Sequence, residues 1–216
     1  MAKKIKLTAQ QKRDKVLEEL ERLVMFFGSG FKSYCGIDQS LTRTGFTCSS
    51  QGKKPTTTCI RTEVKGEKKY ISISKMVYGK LKKHDIRFAI IEGYAFGAKW
   101  GREEAGELAG LIKYFLNKQD IPYLVVAPPS LKKFINVETK ENILKEIYKK
   151  WKVDLPDNDQ ADSFVLFKIA DTLKNITLKI RDPHAVVYKE IPKICGLTKK
   201  EFEVIQTVLI RGVVWK

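Results

Sequence analysis

The chain is poor in the ligands that soft metals and redox centres need. It has only two histidines, His84 and His184, and four cysteines, Cys35, Cys48, Cys59 and Cys195, with no C-x-x-C pair among them. That shortage argues against a structural zinc site. Three of the cysteines fall in strand-like apolar runs, where reduced thiols act as small hydrophobes, a usage that fits a reducing intracellular compartment. No apolar run approaches the ~18–20 residues that cross a bilayer, so no membrane association is expected. Lys3, Lys4 and Lys6 precede neither a short apolar core nor a small-residue cleavage site, and Asp14, Glu18, Glu19 and Glu21 do not suit a transit peptide. The expectation is a cytoplasmic protein that is not secreted. Internal repeats and low-complexity segments are also lacking.

Acid is scarce as well. Forty-one Lys and Arg stand against 25 Asp and Glu, a formal net charge of +16 on 216 residues. A surplus of that size points to a polyanionic partner, nucleic acid first and an anionic surface second. The length suits one complete domain.

Along the chain, residues 1–30 read as an added helix. Thr8 and Gln11 form a capping box, and Val16, Leu17, Leu20, Leu23 and Val24 follow at helical spacing until Gly28 and Gly30. Residues 34–37, 45–49 and 57–64 read as three strands in an antiparallel meander. A helical stretch at 70–83 leads to an apolar run at 88–91, expected as a strand buried on both faces. Residues 103–117 are helical, 123–127 form another buried strand stopped by Pro128 and Pro129, and 141–151 and 159–173 are two more helices. Strands followed by alternating helix and strand give an α/β layer with a mixed sheet. The division expected is an N-terminal helical extension (1–30), a core (31–174) and a C-terminal extension (175–216). That last part has a second capping box at Thr198 and Glu201, and packs on the core or on a partner.

The acids that do occur are placed pointedly. Asp38 directly follows the first strand and Glu92 the central apolar strand, while Asp159 and Asp162 lie one helical turn apart and face the same way. An acid at the end of a buried strand is costly unless its charge is compensated. Two of them facing a helical Asp pair would repel strongly. Hard divalent cations relieve that repulsion, and oxygen-only ligands suit Mg²⁺, with Mn²⁺ able to substitute. Two such ions can activate a water and stabilise the leaving oxygen of a phosphodiester.

These motifs, taken in order, are similar to those of the RuvC family of Holliday-junction resolvases, especially its bacteriophage branch, within the ribonuclease-H-like superfamily. The similarity runs from about Tyr34 to Leu173. It rests on Gly-Ile-Asp-Gln-Ser-Leu-Thr-x-Thr-Gly-Phe at 36–46, Ile-Ile-Glu-Gly-Tyr-Ala-Phe-Gly at 90–97 and Gly-Glu-Leu-Ala-Gly at 106–110. Pro-Ser-Leu-Lys-Lys-Phe at 129–134 and Asp-Asn-Asp-Gln-Ala-Asp-Ser at 157–163 complete it. The resemblance implies a mixed five-stranded sheet, three antiparallel strands and then parallel ones, flanked by helices. It implies a catalytic four-carboxylate Mg²⁺ site at Asp38, Glu92, Asp159 and Asp162, with Asp157 as an alternative to Asp159. It also implies a homodimer that nicks a four-way DNA junction once from each subunit, in a bacterial or phage-infected cell. Lys132 and Lys133 fall where relatives approach the DNA backbone, and Lys140 matches a basic position that opens the next helix, a further candidate for DNA contact. Phe96, beside Lys99 and Arg102, is the aromatic placed to stack on bases unpaired at a branch point. The segment 135–139 departs from phage relatives, which have a glycine-rich basic loop there; this chain has less glycine and an acid, Glu138. The readings set against this one are another ribonuclease-H-like nuclease with a different nucleic-acid substrate, and a branched-DNA-binding protein without activity. An actin-like ATPase would need a second phosphate loop, which the chain does not show.

Overall fold

The structure is a computed structural model and describes residues 7–28, 33–49, 53–93 and 102–215. Five strands make one sheet: β1 (Tyr34–Asp38), β2 (Thr44–Ser49), β3 (Thr56–Ile60), β4 (Phe88–Glu92) and β5 (Tyr123–Val126). Their order is β3-β2-β1-β4-β5. β1, β2 and β3 pair antiparallel through short connections, whereas β1–β4 and β4–β5 are parallel. The parallel half requires helical connections. α2 (Lys68–Lys83) leads into β4, and α3 (Arg102–Lys118) joins β4 to β5. This is the mixed sheet that the sequence pattern calls for.

Period-two alternation divides the core between the two faces of the sheet. Cys35 and Ile37 of β1, Phe46 and Cys48 of β2, and Ala89 and Ile91 of β4 share one face with Ile73, Val77 and Leu81 of α2 and Leu108, Ile112 and Leu116 of α3. Tyr34, Phe88, Ile90, Leu124 and Val126 belong to the other. That second face is covered by α6 (Asn158–Lys179), which packs on β1, β2 and β4. Around α6 lie α1 (Ala9–Gly28), α4 (Pro128–Ile135), α5 (Ile143–Trp151) and the short α7 (Ile191–Cys195), and α8 (Lys199–Arg211) packs on α1, α4 and β5.

Two glycines set how close α6 comes. A Cβ at Gly36 would lie 2.3 Å from the Phe167 nitrogen and the Ser163 carbonyl, and one at Gly45 would lie 2.1 Å from the Asp159 carbonyl. Both are far inside van der Waals contact, so only glycine lets the helix backbone rest directly on β1 and β2.

The terminal segments join the same core. Val16, Leu17, Leu20 and Leu23 of α1 and Phe202, Ile205, Val208 and Leu209 of α8 are buried in the α6-side cluster. The buried Glu19 of α1 accepts from Trp215 Nε1 at 3.2 Å and from the Val213 amide at 3.4 Å, tying one end of the chain to the other. Val214 forms an antiparallel bridge with Tyr123, so the tail lies along the edge of β5 and covers part of it.

Four features differ from the sequence expectation. β3 stops at Ile60 rather than running on to 64, and Thr62 Oγ1 accepts from the Val64 amide, a local bond that competes with the ladder. The Pro128–Pro129 pair that ends β5 also starts α4, because proline at the first helical positions gives up an N–H that would be unpaired anyway. α6 continues past 173 to Lys179, and the expected helix over 141–151 divides into a 3-10 turn (Lys140–Asn142) and α5. Among the described residues no helix is long and apolar enough to cross a membrane.

Candidate active site

Parallel pairing brings the carboxyl ends of β1 and β4 side by side, with Ile37 in register with Ile91. Alternation then puts Asp38 on the same face as Gly36 and Tyr34, and Glu92 on the same face as Ile90 and Phe88. This is the face that α6 covers. Opposite Asp38 on β2 stands Gly45, and the missing side chain there admits the backbone of Asp159. Asp159 and Asp162 occupy the first two turns of α6. Three separate elements thus bring all four acidic side chains to one end of the sheet.

Their electrostatics follow from burial. Asp38 is 6% exposed and Asp162 4%. Burial holds the Asp38 carboxyl well above the ordinary carboxylate range, and its hydrogen bond to Glu92 and the charges of Glu92, Asp162 and Asp159 push it in the same direction. The close approach of Asp38 to Glu92 therefore disfavours charge on both at once, as like charges at short range do. Asp157 is engaged elsewhere. It is the N-cap of α6, accepting from the Gln160 amide at 2.9 Å, and it pairs with Arg43. Of the two early acids, Asp159 is the one that faces Asp38, and Asp157 is committed to the helix end.

Two neighbours that sequence reasoning did not single out hold this geometry. Gln39 Nε2 donates to the Glu92 carbonyl at 2.8 Å, stapling the end of β1 to the end of β4. Arg43 reaches from the β1–β2 hairpin to α6, pairing with Asp157 and placing Nε 3.1 Å from Asp159 Oδ2. The only signal in the sequence is a lone arginine between Asp38 and Gly45, which pattern reading treats as an exposed turn residue. Beneath the site, Thr47 Oγ1 and Ser163 Oγ lie 2.9 Å apart, a buried polar contact between β2 and α6.

The donor chemistry fits a hard divalent cation. Every candidate ligand is an oxygen, the carboxylates repel one another, and the buried oxygens Gln39 Oε1 and Asn158 Oδ1 have no hydrogen-bond partner. Among the described residues, however, no three acidic, histidine or cysteine side chains are drawn to metal-ligand spacing. The protein alone spreads the charge by the Asp38–Glu92 contact and the Arg43 ion pairs.

The DNA-contact residues expected from sequence fall differently. Phe96 and Lys99, with Tyr94 and Trp100, lie outside the described residues. Arg102 opens α3 and Lys140 opens the 3-10 turn; the side chains of both also lie outside the description. Lys132 and Lys133 sit in the last turn of α4. Lys133 Nζ is 2.6 Å from Glu203 of α8, so it is already paired.

A 3-2-1-4-5 mixed sheet with acids at the ends of its first and fourth strands and at the head of the following helix defines a ribonuclease-H-like fold. Solved structures of RuvC from Thermus thermophilus have this fold. One matches with a TM-score of 0.54 and 16% identity, and one in complex with a Holliday junction substrate with 0.53 and 14%; both alignments cover 68% of this chain and 94% of RuvC. The yeast mitochondrial Holliday junction resolvase Ydc2 aligns over 86% of this chain and 96% of its own at 14% identity, with a TM-score of 0.47. No protein-family model matches the sequence, and neither does any curated protein.

Proposed function

We propose that this chain is a Mg²⁺-dependent, structure-selective endonuclease that resolves four-way DNA junctions, acting as a homodimer with one nick from each subunit. The observation that carries this reading is the convergence of Asp38, Glu92, Asp159 and Asp162 at the carboxyl end of β1 and β4, with Asp38 held far above its ordinary pKa by burial and by the other three. An RuvC structure of the same fold holds a Holliday junction, and the net charge of +16 supplies attraction for a polyanion. The free thiols of Cys35, Cys48, Cys59 and Cys195 support a reducing, cytoplasmic setting.

In this mechanism Asp38, Glu92, Asp159 and Asp162 would hold the cations. When bound, Mg²⁺ or Mn²⁺ supplies Lewis acidity to the scissile phosphate and lowers the pKa of the attacking water. The protein's own part is positional. Gly36 and Gly45 seat α6, Gln39 fixes the end of β4 against β1, and the rigid sheet keeps the acids in place while the DNA is recruited by charge.

The test is cleavage of a labelled four-way junction and a matching linear duplex in Mg²⁺, Mn²⁺ or EDTA, with D38N alongside. Paired, metal-dependent nicks near the branch point, absent from the duplex and from D38N, are the expected result, with junction binding by D38N retained. Cutting of the duplex or of an RNA–DNA hybrid instead would move the protein to another ribonuclease-H-like activity. Binding without cutting under every metal would leave a non-catalytic junction-binding protein.

A further inference from the structure

Arg43 stands at an unusual place for a cation. It projects from the hairpin between β1 and β2, yet its guanidinium reaches across to the first turn of α6, where it bridges Asp157 and Asp159. The two acids are bound differently. Asp157 is engaged on both sides: it takes a hydrogen bond from Arg43 as well as from the Gln160 amide that it caps. Asp159 is held more loosely. Arg43 Nε lies 3.1 Å from its Oδ2, but that N–H has no aligned hydrogen-bond acceptor, so charge alone retains the carboxylate. Arg43 is therefore anchored on Asp157, with the Cys59 side chain of β3 also against it, and rests on Asp159.

We infer that Arg43 is a built-in counter-ion that competes with the divalent cation for Asp159, a positioning residue that sets how tightly the metal site loads. The inference rests on the metal-site reading above. The protein without metal would face four acids on three adjoining elements, with Asp38 and Glu92 relieved by their shared hydrogen bond and Asp159 by Arg43. A cation that takes Asp159 as a ligand gains that carboxylate only as the guanidinium gives it up. Asp157 keeps Arg43 at the site when this happens, so the arginine remains close to the negative charge brought in by a phosphodiester.

A residue that merely braces the hairpin and one that competes with metal differ in the sign of one measurement. Binding of Mn²⁺ alone, followed by electron paramagnetic resonance on the full chain, is compared among wild type, R43Q, R43K, D159N and R43Q/D159N. R43Q is expected to bind Mn²⁺ about 5-fold tighter, the range that loss of a partly exposed ion pair allows. R43K should return toward wild type, and the R43Q effect should vanish in the D159N background. In EDTA, R43Q should melt below wild type and gain more from saturating Mn²⁺. Equal or weaker binding by R43Q would overturn the inference while leaving the metal site standing, provided the wild type binds. Tighter binding that persists in D159N would overturn it too, since the route would not be Asp159. Absence of Mn²⁺ binding in both wild type and R43Q would overturn this inference together with the metal-site reading.

Discussion

A carboxyl group buried at the end of a strand among three other acids is a source of instability as well as of chemistry. Asp38 lies in that position, and burial together with Glu92, Asp162 and Asp159 disfavours its charged form. Asparagine keeps the shape and can donate to Glu92 without the proton that two facing carboxyls need, so the repulsion at this contact is removed. In EDTA near neutral pH, D38N is expected to melt above wild type by about 2–4 °C, the shift that ~1 kcal/mol produces in a chain of this size. Addition of Mg²⁺ should raise the melting temperature of the wild type and not that of D38N. Thermal melts with and without Mg²⁺ check this directly. A mutant that melts lower in EDTA and still gains from Mg²⁺ would mean that the charge at position 38 is compensated within the protein. Such inverse behaviour of stability and activity is what a site built for a missing partner's charge should show.

At the scale of elements, α6 is the piece that completes the site, and glycine decides where it sits. Adding a Cβ at Gly45 places it 2.1 Å from the Asp159 carbonyl, against helix backbone that cannot give way as a flexible side chain would. G45A is expected to cost about 2–3 kcal/mol and to lose cleavage with it, because the helix that bears Asp159 and Asp162 must lift. The control is G79A in α2, where an added Cβ meets nothing within 4 Å and should gain about 0.5–1 kcal/mol. Denaturant melts of the two variants separate the cases, and a harmless G45A would show that α6 does not depend on the close approach. α8 offers a pH test. Burial pushes the Glu201 carboxyl up, but the Lys150 ammonium and the Thr198 donors of its capping box outweigh this and leave it below the usual range. A depressed folded pKa stabilises the protein above the unfolded pKa, and that contribution is lost as pH falls through the folded value. E201Q should therefore cost about 1–2 kcal/mol at pH 7, and the gap from wild type should narrow as the pH falls past the ordinary glutamate range. A gap independent of pH would assign the cost to packing. Much of this was legible in the sequence. Periodicity placed five strands and the main helices, and the acids Asp38, Glu92, Asp159 and Asp162 stood out because each follows a strand or opens a helix. What pattern could not reach was contact across elements. Arg43 on Asp159, Gln39 on the Glu92 carbonyl and Gly45 beneath α6 join residues separated by tens of positions, and local rules score each of them as an ordinary turn or strand residue. The Pro128–Pro129 pair misled for the opposite reason, since one local signal serves both to end β5 and to begin α4.

For the whole molecule, the relevant quantity is how a net charge of +16 is distributed over ions that are free and ions that are already paired. Lys132 and Lys133 are neighbours in the last turn of α4, yet they differ in this respect. Lys133 is held 2.6 Å from Glu203, whose carboxyl it depresses, so a phosphate that takes Lys133 must break an existing pair. Lys132 lies near Glu141, helping to lower that carboxyl, but does not form a close pair with it among the described residues. Each lysine that contacts a phosphate releases condensed counterions and steepens the dependence of log K on log salt by about one unit. Replacing both with alanine should therefore make the junction-binding slope shallower by about 1–2 units, with the largest loss of affinity at moderate salt. E203Q should act in the opposite direction, freeing Lys133 and removing a negative charge, and so tighten binding most at low salt, where screening is weakest. Fluorescence anisotropy titrations on a four-way junction across a salt series measure all three proteins in one experiment. Parallel lines for wild type and the double alanine variant would remove α4 from the DNA interface, and would shift the search for the phosphate contacts to the other lysines of this basic surface.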